Sequence, residues 1–177
     1  CNILKVMANR YTLNDSYSPR TGICVFISHQ KGDKAAAIKI AQYIQNSGID
    51  IYFDEKDSSI DRDNPKSVVA AVKTAIRHST HMLCILSNNA LKESMMPWEI
   101  GYGYDKLQVV GLTLKELSKS DLPEYLQVVP VLRGTKTLNT FIADTIGRVA
   151  DSLIREQKMF SASQMNHPLD NILDWHC

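Results

Sequence analysis

The stretch ICVFISHQKGDKAAAIKIAQYIQNSGIDIYF, residues 23–53, contains the pattern of a strand, a helix and a second strand. Residues 23–28 form a short apolar, β-branched run, which is typical of a strand buried on both faces. Asp33 can begin the helix, four apolar residues then recur at helical spacing, and Gly48 can end it. Those four residues are Ala37, Ile40, Ala41 and Ile44. Residues 49–53 repeat the strand pattern, and such a unit predicts parallel strands joined by a right-handed crossover.

The same alternation continues along the chain. Residues 81–86, 107–114 and 126–132 predict three further strands. Pro130, within the last of these runs, indicates a sheet edge or a strand end. The final helix is predicted to run through four apolar positions, Ile142, Ile146, Val149 and Leu153. We therefore predict an α/β fold, an open sheet of five parallel strands with helices on both faces.

The composition predicts one globular domain. Of the 177 residues, 44% are apolar and 22% charged, and the formal net charge of +1 gives no support for binding of nucleic acid. No run approaches the ~18 apolar residues of a membrane span, and residues 1–22 lack the apolar core of a signal peptide. We predict a soluble, cytoplasmic domain at residues 23–155, with extensions at 1–22 and 156–177 and no membrane partner. Because the chain begins with Cys1 rather than Met, we expect an excised piece or a processed product.

The cysteines and histidines predict neither a disulfide framework nor a metal site. The four cysteines lie far apart and form no CxxC pair, and the histidines show no HxxxH spacing. Cys24 and Cys84 lie inside the apolar runs ICVFI and MLCIL, where a thiol behaves as a small apolar side chain. We predict buried thiols, and neither a metal nor another cofactor.

Polar residues follow the first three predicted strands. In an open parallel sheet, ligands bind beyond the carboxyl ends of the strands, near the point where the strand order reverses. Ser28 and His29 follow the first strand, a polar loop at 54–63 follows the second, and Ser87 follows the third. Glu99 comes one short loop later. The sequence therefore predicts that Glu99 lies on the side of the sheet where chemistry is expected.

Glu99 lies in SMMPWEIGYGYD, residues 94–105, and has two interpretations. With Met96 as N-cap and Pro97 at the first helical position, Glu99 falls at the third, where a carboxylate meets free backbone N–H groups and the positive end of the helix dipole. Trp98 can instead supply an aromatic wall for a ligand, with Glu99 as the reactive group. The two interpretations are compatible, because the same helix end favours an ionised carboxylate.

The neighbouring segments are also open to two interpretations. Gly101 and Gly103 each lower helix propensity by about 1 kcal/mol relative to Ala, which favours close approach of another backbone or a ligand. SHQKGDK, residues 28–34, has groups able to hold phosphate or ribose oxygens, but it is neither a GxGxxG nor a Walker A sequence. Asp33 is equally well explained as a helix N-cap. The loop at 54–63 carries charges of both signs, which is typical of solvated loops, but it is long enough to be functional.

Four segments together resemble the TIR domain (Toll/interleukin-1 receptor domain) in order and spacing. They are VFISHQKGDK, GIDIYFDEKD, SVVAAVKTAIRHSTHMLCILSNNALKESMMPWEIGYGYDK and LPEYLQVVPVL. The resemblance covers residues 23–154, and PWEIGYG is similar to many bacterial members. It implies a flavodoxin-like five-stranded sheet.

In the enzymatic branch of this family, the resemblance implies cleavage of the nicotinamide glycosidic bond of NAD+. Glu99 then falls on the catalytic glutamate. The implied substrate-binding residues are Ser28, His29, Asp54, Lys56, Asp57, Ser87 and Trp98. The family's BB loop corresponds to residues 54–60. Enzymatic members often carry W-x-x-x-E, whereas this chain has Met95 four residues before Glu99 and its tryptophan at Trp98.

Our main hypothesis is an NAD+ glycohydrolase or cyclase of the prokaryotic type, acting in antiphage defence. NAD+ is then a substrate, and the products are nicotinamide with ADP-ribose or a cyclic ADP-ribose-type signal that a downstream effector senses. One carboxylate suffices to stabilise the oxocarbenium-like centre, because the pyridine leaves as a neutral molecule. One alternative is a non-catalytic module that signals by assembly with other TIR domains. Another is an enzyme like the nucleoside deoxyribosyltransferases, because WEIGYG also resembles the glutamate-bearing segment of those enzymes.

Overall fold

The computed structural model describes residues 22–53, 63–92 and 95–175. The parallel strands are β1 (Cys24–Ser28), β2 (Asp50–Tyr52), β3 (His81–Leu86), β4 (Gln108–Thr113) and β5 (Val131–Leu132). The helices are α1 (Lys34–Asn46), α2 (Pro65–His78), α3 (Met95–Gly103), α4 (Thr135–Ile146) and α5 (Ala150–Arg155). The sheet has the order β2-β1-β3-β4-β5, so the predicted open sheet of five parallel strands is confirmed.

The strand order reverses between β1 and β3. The chain passes from β1 to β2 on one side and then returns to β3 on the other, which makes the carboxyl ends of β1 and β3 the switch point of the sheet. Ser28, the last residue of β1, pairs with Cys84 of β3. The topology therefore selects the surroundings of Ser28 as the place for a ligand.

Each face of the sheet has its own apolar core. Ile27 and Leu83 point to one face, where they pack with α1, α4 and α5. Phe26 and Met82, their neighbours in sequence, point to the other face, where they pack with α2 and α3. This alternation follows from the two-residue repeat of a strand, and it confirms helices on both faces.

Helix α3 begins at Met95, so the prediction that Met96 caps it is wrong. Pro97 is the third residue of the helix and Glu99 the fifth. The first four N–H groups of a helix have no intrahelical acceptor, so a proline in the first turn removes no hydrogen bond. Glu99 therefore lies beyond the position of an N-terminal cap.

The predicted strand at 126–132 is mostly wrong. Glu124–Val128 form a 3₁₀ helix, and only Val131–Leu132 pair with β4. Pro130 has no N–H to donate, but its carbonyl oxygen accepts from Gly111 N at 2.8 Å. Its position just before the edge strand agrees with the expectation of a sheet edge.

The final helix is two helices rather than one. Gly147 adopts a left-handed conformation with φ of 73°, which ends α4 in a common way. Val149 follows in extended conformation as the N-cap of α5 and is 70% exposed, so its predicted place on the apolar stripe is wrong. Ile142 and Leu153, on the two separate helices, are fully buried.

Residues 156–175 pack on the domain although they form neither a helix nor a strand. Their buried side chains are those of Met159, His167, Leu169 and Leu173. Two backbone bonds attach the segment, Lys115 N to Ile172 O at 2.9 Å and Thr135 N to Asp174 O at 2.7 Å. The sequence of this segment has no clear helical or strand repeat, and its order comes from contacts with the rest of the domain.

Candidate active site

The switch point brings Ser28 and Glu99 together, although 71 residues separate them in the chain. Ser28 Oγ donates a hydrogen bond to Glu99 Oε2. Ser28 is 4% exposed, and Glu99 is partly buried on the side of α3 that reaches the end of β1. A carboxylate is therefore held in one orientation at the carboxyl end of the sheet.

Cys84 lies beside this pair, since it is the β3 partner of Ser28. Burial raises the pKa of the Cys84 thiol above its ordinary value, and the negative charge of Glu99 raises it further. The thiol is thus a neutral, apolar neighbour of the carboxylate. Cys24 and Cys84 are both buried free cysteines, as the sequence predicts.

Tyr125 is a residue that the sequence reasoning missed. It lies in the 3₁₀ helix before β5 and packs against the same core as Cys84. Burial raises its pKa, and the charge on an ionised Cys84 would raise it further, so the two side chains lie within electrostatic range of each other. Segment LPEYL has no helical or strand repeat that could have indicated this position.

His29 lies against the end of β2. Its ring stacks on Phe53 with the centroids 4.5 Å apart and the planes at 19°. Phe53 is fully buried, so it gives the imidazole a fixed support. The end of β1 therefore contacts α3 through Ser28, and His29, the next residue, contacts Phe53, which directly follows β2.

Ser87 and Asp33 form a second buried pair at the same end of the sheet. Ser87 Oγ donates a hydrogen bond to Asp33 Oδ2 and accepts one from Ala90 N at 3.0 Å. Asp33 occupies the N-cap position of α1, as predicted, but its side chain makes no hydrogen bond to the helix. The carboxylate is directed toward the loop after β3 instead.

Trp98 stacks on Tyr102, one helical turn further along α3. The ring centroids are 5.5 Å apart and the planes differ by 12°. Lys106 Nζ lies 4.1 Å and Lys73 Nζ 5.5 Å from the centroid of the Tyr102 ring. The ring contact that the structure describes for Trp98 is thus with Tyr102 of the same helix, whose ring Lys73 of α2 also approaches. A position of Trp98 beside nicotinamide stays a prediction.

The two glycines of α3 differ. A Cβ atom at Gly103 would lie 3.2 Å from Met82 Sδ, so close packing on the sheet explains this glycine. A Cβ atom at Gly101 would meet nothing within 4 Å among the described residues. Gly103 thus packs against side chains rather than against the backbone or ligand that the sequence predicts, and no such neighbour is seen at Gly101 among the described residues.

Residues 25–141 match the family model of the TIR domain. The chain belongs to the TIR domain family. A relative from Bacillus cereus (strain MSX-D12), named "Probable 3' cyclic ADP-D-ribose synthase ThsB'", is 28% identical over an alignment of 142 residues that covers 76% of this chain and 70% of the relative. The crystal structure of the TIR domain of the Toll-related receptor TRR-2 from Hydra magnipapillata has a TM-score of 0.52 at 16% identity, covers 75% of this chain and 95% of that one, and shows a shared fold.

The predicted resemblance and the flavodoxin-like fold are thus confirmed for this TIR domain. Of its predicted site residues, Ser28, His29, Ser87 and Glu99 lie at one end of the sheet. Asp54, Lys56 and Asp57 lie outside the residues that the structure describes and stay predictions.

In the part of the TIR domain that the structure describes, no three residues among His, Cys, Asp and Glu form a group that could hold a metal ion. No helix there combines the length and the apolar character needed to cross a membrane.

Proposed function

We propose that this TIR domain cleaves the bond between nicotinamide and ribose in NAD+, with Glu99 as the catalytic carboxylate. The observation that carries the proposal is the hydrogen bond from Ser28 Oγ to Glu99 Oε2 at the switch point of the sheet. Family membership and the bacterial relative support it. The predicted roles of Ser28 and His29 in holding the dinucleotide belong to the same proposal.

The chemistry requires a negative charge close to ribose C1′. As the bond to the pyridinium breaks, the bonding electron pair goes to the ring nitrogen, and nicotinamide leaves neutral while positive charge develops on the ribose. A carboxylate already fixed in position stabilises this charge without reorganising during the reaction. Ser28 supplies such fixation by holding one oxygen of Glu99.

The nucleophile that follows determines the product. Attack by water gives ADP-ribose, whereas attack by a hydroxyl or an adenine nitrogen of the same molecule gives a cyclic product. The name of the bacterial relative refers to a cyclic ADP-D-ribose. We therefore propose hydrolysis or cyclisation as the reaction, with a defence role in which the TIR domains assemble and an effector senses the product.

The test is nicotinamide release from NAD+ by the purified chain over a range of protein concentrations, with mass spectrometry of the products. Glu99→Gln keeps the shape of the side chain and removes its charge, so we expect kcat to fall by about 10²–10³-fold, the size of effect seen for lost electrostatic stabilisation. Glu116→Gln is the matched control, because Glu116 is exposed in the loop after β4.

Equal rates for Glu99→Gln and the native chain would remove Glu99 from the mechanism. Assembly without turnover at any concentration would favour the non-catalytic interaction module. Exchange of bases between deoxynucleosides, without release of nicotinamide from NAD+, would favour the deoxyribosyltransferase-like alternative.

A further inference from the structure

Asp33 and Ser87 join the loops that leave two neighbouring strands. Asp33 lies five residues beyond the end of β1 and Ser87 directly follows β3. Both are buried, at 7% and 1% exposure. Because Ser87 Oγ accepts from Ala90 N and donates to Asp33 Oδ2, its hydroxyl is fully directed. It has little capacity left to contact a substrate.

Burying the Asp33 carboxylate needs a reason other than stability. Removing a carboxylate from water is unfavourable, and an apolar side chain of similar volume is often as stable or more stable in such a place. No cation among the described residues forms an ion pair with Asp33. The Asp33 side chain also makes no hydrogen bond to the N-terminus of α1, so its carboxylate serves the connection between the two loops.

The same two loops approach each other closely at a second point. A Cβ atom at Gly32 would lie 3.1 Å from Asn89 Nδ2, which is closer than most side chains tolerate. The loop after β1 is therefore joined to the loop after β3 by a directed hydrogen bond, and it also lies close to that loop at Gly32.

This connection closes a short ring that contains Ser28. Ser28 pairs with Cys84 across β1 and β3, and the chain runs from Ser28 to Asp33 on one side and from Cys84 to Ser87 on the other. The hydrogen bond between Asp33 and Ser87 completes the ring. Ser28, at its base, in turn holds Glu99.

We propose that Asp33 and Ser87 are positioning residues that fix the Ser28 hydroxyl and, through it, the Glu99 carboxylate. The inference rests on the proposed function for its kinetic consequence. It assigns Ser87 a role through Asp33 in place of the substrate contact that the sequence predicts.

The kinetic test uses Ser87→Ala, Asp33→Leu and the double variant. Leu fills the space of Asp33 without an acceptor, so the chain should fold while the connection is lost. Because displacing a catalytic group by about 1 Å can cost 100-fold in rate, we expect each single variant to lower kcat by about 10–100-fold with KM within about threefold. Residues that act as a unit are not additive, so the double variant should be no slower than either single one.

Two controls separate positioning from general loss of structure. Ser47→Ala also removes a buried hydroxyl, which donates to Ile44 O at the far end of α1, and we expect it to leave kcat unchanged. Asp33→Asn keeps an acceptor oxygen and should restore kcat to within a few-fold of the native value. Unchanged kcat in Ser87→Ala, or losses that add in the double variant, would overturn the inference and leave the proposed function standing.

Hydrogen–deuterium exchange supplies a readout that does not depend on turnover. In Ser87→Ala, the backbone of residues 28–33 and the amide of Ala90 should exchange at least several-fold faster, while Ser47→Ala should leave both unchanged. Unchanged exchange in Ser87→Ala overturns the inference. If the native chain releases no nicotinamide, the proposed function fails, and faster exchange still supports the connection between the loops.

Discussion

Two buried polar clusters of this protein are built on different principles. The Glu99 cluster consists of Ser28, Glu99, Asp33 and Ser87, and it uses hydroxyl groups to direct two carboxylates. The Tyr43 cluster consists of Tyr43, Asn139, Phe160 and His167, and it joins uncharged groups to one another and to the backbone.

The Tyr43 cluster satisfies its members from within the fold. Tyr43 Oη donates to Asn139 Oδ1 at 2.7 Å, and Asn139 Nδ2 donates to Phe160 O at 2.8 Å. Burial lowers the pKa of His167 and so favours its neutral form. The bond from Tyr43 to Asn139 joins α1 to α4, and the bonds to Phe160 and His167 fasten the C-terminal segment to these two helices. The Glu99 cluster instead ends in a partly exposed carboxylate. Charge and access to solvent, rather than burial alone, thus distinguish the candidate site from the Tyr43 cluster.

The largest expected effect is on the region that the Tyr43 cluster fastens. Leu169 is fully buried in the core that packs α1, α4 and α5 on the sheet. Leu169→Ala should therefore destabilise the protein by about 2–5 kcal/mol through lost burial and the cavity left behind. Denaturant unfolding measures the loss. The folded fraction should keep its kcat, and a lower kcat there would show that the C-terminal segment also shapes the site.

Ser28→Ala tests the opposite expectation, at the Glu99 cluster. Without the hydroxyl, Glu99 loses the donor that orients it, so we expect kcat for nicotinamide release to fall by about 10–100-fold. The midpoint of thermal unfolding should shift no more than in Ser47→Ala. A large loss of stability with unchanged kcat would show that Ser28 stabilises the fold, as Tyr43 does, and does not orient Glu99 for catalysis.

Tyr43 should make stability depend on alkaline pH. Burial raises its pKa from 10.0 to about 12, so the folded protein holds the phenolic proton more tightly than the unfolded chain does. The resulting stabilisation is fully present below pH 10 and is lost as the pH rises through 12, with a magnitude on the order of 2 kcal/mol. Unfolding free energies at pH 9 and 11.5 measure it, and Tyr43→Phe should remove this part of the decline. An identical decline in Tyr43→Phe would assign the titration to other groups.

The smallest effect is expected at the two glycines of α3. No described residue lies within 4 Å of a Cβ atom at Gly101, so Gly101→Ala should stabilise the protein by about 0.5–1 kcal/mol through helix propensity and leave kcat unchanged. Gly103→Ala should gain less, because the new methyl group would press on Met82. A loss of activity in Gly101→Ala without a loss of stability would instead indicate that a ligand approaches this glycine.

The parts of the fold with a simple repeat were predictable from the sequence. Two-residue and helical repeats gave the sheet and α1, and the rule for parallel sheets placed Ser28 and Glu99 at one end. The contact between those two side chains also required the strand order, which no local pattern contains.

The remaining features depend on partners that are distant in the chain. Asp33 has a suitable residue type for capping α1, but its bond to Ser87 prevails over the local preference. The break at Gly147 competes with an apolar repeat that continues to Leu153. Residues 156–175 are ordered by tertiary contacts and local turns, neither of which produces a repeat in the sequence. Tyr125 lies in a 3₁₀ helix, a form too short to give a repeat.

The attachment of the C-terminal segment has a consequence for the order in which the protein is made. Leu169 and Leu173 complete the core beneath α1 and α4, and Thr135 bonds to Asp174. Domains generally fold as units during synthesis. The core on this face is incomplete until Leu169, Leu173 and Asp174 have left the ribosome, so we expect the domain to reach its stable fold only after residue 174 is exposed.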